Sequence, residues 1–116
     1  MDQSNLLVVA MAEECRAIIQ QWQEEDSSLP ESTRRAHLER MCERIEKHSE
    51  DWPATRLHRW IGFIQCALIV QGVIDLPEAK RMFDRAKIAY PESDDDLLDH
   101  LDPSDSFEMD IGGPGH

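Results

Sequence analysis

The last 26 residues of this 116-residue chain contain no lysine and no arginine, against nine Asp and Glu. The preceding 90 residues are close to balance, with 15 acids and 12 bases, so most of the net charge of −12 lies at one end. A field of that sign repels phosphate backbones and anionic lipid, which argues against direct nucleic-acid or membrane binding and for a partner with a basic surface. Glycine is scarce: five residues, three of them within the final five. No glycine-rich loop precedes a helix, so there is no phosphate cradle of that kind. The three cysteines have no C-x-x-C spacing and are odd in number. That excludes a paired disulfide framework and suits a reducing cytoplasm. Long hydrophobic runs are missing as well. The most apolar stretch, residues 61–74, has 14 residues and two glutamines, short of the roughly 20 that a membrane span needs. The early run LLVVAMA has no basic flank and is followed at once by Glu13 and Glu14, so it does not read as a signal peptide.

What remains is one domain's length of helical patterning. Leu7, Met11, Cys15, Ile18 and Trp22 recur every three or four residues, predicting a helix from Ser4, as N-cap, to about Glu25. Ser28-Leu29-Pro30-Glu31 has the form of a capping box with proline in the first turn. It predicts a second helix running to about His48, with a narrow apolar stripe of Leu38, Met41, Cys42 and Ile45 and a Glu43–Lys47 pair on its wet side. A third helix is expected over 53–72. Apolar residues occupy most of its sides beyond the first two turns, so it is expected at the middle of the fold, with Gly62 admitting a neighbouring helix. Asp75-Leu76-Pro77-Glu78 is another capping box, opening a fourth helix on Leu76, Ala79, Phe83, Ala86 and Tyr90 that Pro91 ends. The expected fold is all-α: a four-helix antiparallel bundle over residues 1–90, then an acidic, partly apolar tail over 91–116 containing a short fifth helix.

Catalytic and metal patterns are weak. All-α nucleotide pyrophosphohydrolases need E-x-x-E on one helix and E-x-x-D on the next to hold Mg²⁺. Here Glu43 and Glu46 flank a core position, and the E-x-x-D, Glu92 to Asp95, lies far along in the tail. The histidines form no H-x-x-x-H, and Cys42 stands five residues from His37, a spacing that does not bring two helix side chains together. No catalytic residue, metal ligand or cofactor is assigned. A metal-dependent hydrolase built from scattered carboxylates is the minor alternative.

The candidate partner-binding residues fall in two places. One is the tail, where Asp94, Asp95, Asp96, Asp99, Asp102, Glu108 and Asp110 alternate with Leu97, Leu98, Leu101, Phe107 and Met109. That mixture suits an interaction segment better than a solubilising end. The other is WPATRLHRW, where Trp52, Arg56 and Arg59 have the composition of an interface. Its plainer reading is that core tryptophans are covered by arginine stems. Helix 4 offers further cations in Lys80, Arg81, Arg85 and Lys87. The expected function is a small cytoplasmic binding module, an inhibitor or adaptor that occupies a basic site on a protein, in its specific form as a nucleic-acid mimic. The alternative is a structural homodimer joined through helix 3.

Overall fold

The computed structural model describes residues 3–93, and among them the protein is all-α, with four helices and no strand. They are α1 (Ser4–Gln21), α2 (Arg35–Lys47), α3 (Ala54–Val70) and α4 (Leu76–Ala89), with a 3-10 turn at Glu31–Thr33 before α2. No helix among the described residues is long and apolar enough to cross a membrane. The expected fifth helix and the tail beyond Ser93 lie outside the described residues.

The element at the centre is α1, not α3: α1 packs on α2, α3 and α4 alike. Its buried side is broader than a simple stripe, taking in Ser4, Leu7, Val8, Met11, Ala12, Cys15 and Ile19. The small Ala12 and Cys15 let neighbours come close on two sides. The third helix is instead one-sided. Leu57, His58, Ile61, Ile64, Gln65, Ala67 and Leu68 are buried, while Arg59, Gly62, Phe63 and Val70 face solvent. Apolar residues on all sides therefore did not mean burial on all sides. Among the described residues Gly62 admits no neighbouring helix, for a Cβ placed there would meet nothing within 4 Å.

Local chemistry sets the helix ends, in two cases differently from the sequence expectation. The first helix stops at Gln21, before the run Glu24-Glu25-Asp26. Carboxylates at a helix C-terminus oppose the macrodipole, and the last turn carries no base to offset them. Its N-cap is Gln3, with Ser4 already helical. The Ser28 capping box does not form either. Ser28 N donates to Asp26 Oδ1 at 2.9 Å, closing a local turn, and α2 begins only at Arg35. The donor at its start is satisfied from ten residues upstream, where Glu25 Oε1 accepts from Arg35 N at 2.8 Å. The second box does form: Asp75 Oδ1 accepts from Glu78 N at 2.8 Å, with proline in the first turn of α4.

Between them, α3 ends in a Schellman cap. Gly72 has φ of +76°, Gly72 N donates to Ile69 O at 3.0 Å, and Val73 N to Leu68 O at 2.9 Å. Glycine takes the left-handed backbone without the Cβ penalty, and the chain reverses directly into α4.

Candidate interaction surface

The α2–α3 connection carries a compact stack of rings and cations. The His48 and Trp52 rings are parallel, 4.6 Å apart and inclined by 5°. Trp60 meets Trp52 edge-on, with ring centroids 4.7 Å apart. Over these rings lie two guanidinium groups. Arg56 Cζ is 3.8 Å from the Trp52 ring centre and 5.8 Å from that of Trp60. Arg44, from α2, is 5.6 Å from Trp52 and 5.4 Å from Trp60. Trp52 belongs to the core cluster and Trp60 packs against it. Trp52 therefore presents no open ring to a partner and Trp60 is only partly exposed; the surface there offers mainly the charged edges of the arginines over them.

Of the residues expected here, Trp52 and Arg56 come together, and Arg59 does not join them. It faces solvent on the outer side of α3. Arg44 and His48 were not anticipated. Their four-residue spacing puts both on one side of α2, but only the short reversal after His48 brings Trp52 under them. Asp51 completes the edge: its Oδ2 lies 3.0 Å from His48 Nδ1, and that hydrogen bond holds its carboxyl below the usual carboxylate range.

Elsewhere on the body several charges are paired. Arg16 reaches across from α1 to Glu46 on α2 at 3.1 Å, and Glu46 rather than a Glu43–Lys47 pair orders that side. On α4, Arg81 pairs with Glu78 at 2.8 Å, Lys80 with Asp84 at 3.5 Å, and Arg85 with both Glu78 and Glu14 of α1. Helix 4 is thus less open as a basic face than its sequence suggests. In contrast, Arg44, Lys47, Arg56 and Arg59 form no ion pair within 4 Å among the described residues, Arg56 acting on Asp51 only at longer range. At the start of α2, Glu25, Glu31, Arg34, Arg35, His37, Glu39 and Arg40 line a shallow trough of mixed charge.

The described chain ends close to the ring stack. Gln3 N donates to Glu92 O at 3.0 Å, and Glu92 N donates back to Gln3 Oε1 at 3.1 Å. Two residues along α1, Asn5 Nδ2 donates to Ser49 O at 2.7 Å, in the α2–α3 connection. Ser93 is buried and its hydroxyl donates to Tyr90 O at 2.8 Å, so the ties to the body run past Tyr90. The tail candidates Asp94, Asp95, Asp96, Leu97, Leu98, Asp99, Leu101, Asp102, Phe107, Glu108, Met109 and Asp110 lie outside the described residues.

The cysteines divide two to one. Burial, with Cys42 and Glu14 adding, raises the Cys15 thiol well above the ordinary range, and its Sγ lies 3.5 Å from Met82 Sδ. Burial also pushes Cys42 up to about 12, helped by Glu46. Both behave as small apolar side chains. Cys66 is only half-buried and stands outside the core cluster. Among the described residues no group of His, Cys, Asp and Glu is arranged to hold a metal ion. In comparison with known proteins, no family model, curated protein or solved structure matches the chain.

Proposed function

We propose that the protein is a small binding module that occupies a basic site on a partner protein, as an inhibitor or adaptor. In this reading the acidic segment from Asp94 onward is the recognising element, and its leucines and Phe107 add apolar contact. The observation that carries the proposal is the way charge is divided. The helical body pairs several of its own ions, while the sequence after Ser93 carries eight further carboxylates and no base. Charge of one sign, with no compensating base in the same stretch, speeds encounter with an opposite surface and selects against acidic partners.

Nucleic-acid mimicry is the specific form of the proposal, with carboxylates taking places built for phosphates on a DNA- or RNA-binding protein. The three free thiols accord with action in the reducing cytoplasm. We read the scaffold as an antiparallel bundle. Contact of the start of α1 with the end of α4, through Gln3 and Glu92, supports that arrangement. So does Gln71 Nε2 donating to Thr33 O at 3.2 Å, which joins the end of α3 to the turn before α2.

The test is affinity capture from lysate with the full-length chain and a full-length variant in which Asp94, Asp95, Asp96, Asp99 and Asp102 are all changed to Asn. A basic protein retained by the wild type should be lost with the variant, and its retention should fall steeply with added salt. Equal retention by both chains, or indifference to salt, would remove the tail from the recognition.

A further inference from the structure

We propose that the outward face of α3, bearing Arg59, Gly62, Phe63, Cys66 and Val70, is a two-fold interface with a second copy of this chain, the two α3 helices crossing at Gly62. The starting point is a glycine that nothing within the described chain explains. Gly62 lies inside a helix, where glycine is less favourable than alanine. It does not have the positive φ that Gly72 has. Among the described residues a Cβ at Gly62 would meet no atom within 4 Å. Neither backbone conformation nor a described neighbour requires it, so the notch stands open on the face that a further helix could approach.

The side chains around the notch point the same way. Phe63 is 41% exposed and Val70 54% exposed, although the inner side of α3 already fills the core. Positions 59, 62, 63, 66 and 70 follow the three-and-four spacing that makes a single stripe along a helix. A two-fold interface uses the same patch on both partners, so that patch must hold both the gap and the group that enters it. Here Gly62 is the gap, and Phe63 with Cys66 are the neighbouring projections.

Charge favours a second copy over other occupants. The third helix contains no Asp or Glu, so two copies oppose no carboxylates across the crossing. Gly62 is the midpoint of α3, so an antiparallel crossing there sets Arg59 of each copy opposite position 65 of the other, and its side chain, leaning toward its own N-terminus, extends toward the last turn of the other α3. That last turn has no basic residue of its own, and a helix C-terminus attracts a cation. The acidic tail of the same chain would meet only one cation on this face.

The experiment uses the full chain. Light scattering and sedimentation over a concentration series should show mass rising from the 13.4 kDa of one chain toward two. A short bismaleimide should link two copies through Cys66, and Cys66→Ser should abolish the link. Gly62→Leu should raise the dimer dissociation constant about tenfold or more by filling the notch. Gly62→Ala should raise the unfolding midpoint of the dilute monomer, because alanine is the better helix former, and weaken the dimer. The opposite signs separate interface from fold. A chain that stays monomeric at every concentration overturns the proposal, as does a Gly62→Leu chain that dimerises like wild type. Loss of the dimer in the Asp-to-Asn tail variant, with Gly62→Leu unaffected, would also overturn it. Neither result depends on whether the tail captures a basic partner.

Discussion

The Arg56 guanidinium lies 3.8 Å over the ring of Trp52, and Trp52 is itself part of the hydrophobic core. One contact thus joins a half-exposed charge to the interior, and the two members should weigh very differently in stability. Trp52→Ala is expected to cost about 3–5 kcal/mol, since it opens a cavity under His48 and Trp60. Arg56→Ala is expected to cost about 0.5–1 kcal/mol, the usual size of an exposed cation–π contact. Urea unfolding at constant m-value measures both. Equal losses would mean that Arg56 supports the core as well as covering it.

Two sequence motifs of the same form should respond in opposite ways. Asp75 caps α4 through Glu78 N, so Asp75→Ala should lower stability by about 1 kcal/mol. Ser28 bonds only to Asp26 and caps no helix. Ser28→Ala should therefore stay within about 0.5 kcal/mol of wild type, as surface changes away from such features do. A Ser28→Ala loss as large as that of Asp75→Ala would contradict the observed start of α2.

Glu78 predicts a pH effect of definite sign. Hydrogen bonds from Arg81 and then Arg85 hold its carboxyl below the usual carboxylate range. A group depressed in the folded state binds its proton more readily when unfolded. Its contribution is therefore complete above the unfolded value and is lost as pH falls through the folded one. The stability difference between wild type and Glu78→Gln should be constant near neutrality and shrink as pH falls through and below the ordinary carboxylate range. Thermal unfolding of both chains across that range is the measurement. A difference that grows on acidification would reverse the assignment.

How much of this could be read in advance depended on the range of the interaction. Leu38, Cys42 and Ile45 on α2, and Ala79, Phe83 and Ala86 on α4, are buried as their spacing predicts. There a charged opposite side leaves only one face that can be buried. The Asp75 cap was legible because acceptor and donor are three residues apart. The start of α2 was not, because Glu25 supplies its carboxylate across a loop, and no local pattern marks that choice over the nearer Ser28. Of the WPATRLHRW candidates, Trp52 lies just before α3 and meets Arg56 in its first turn, while Arg59, one turn further on, is rotated away from Trp60 and exposed. Arg44 and His48 join them only through the reversal at the end of α2.

By itself the sequence determined the four helices and the start of α4, the thinness of any catalytic or metal pattern, and the concentration of acid beyond Ser93. Each of these follows from composition or from spacings of a few residues, where backbone geometry leaves little choice. Tertiary structure alone decided that α1 rather than α3 occupies the centre. An apolar sequence says how much surface could be hidden, but neighbours decide which part is. Val8 and Ala12 extend the buried side of α1 toward three partners, whereas α3 has core on one side and leaves Gly62, Phe63 and Val70 to solvent.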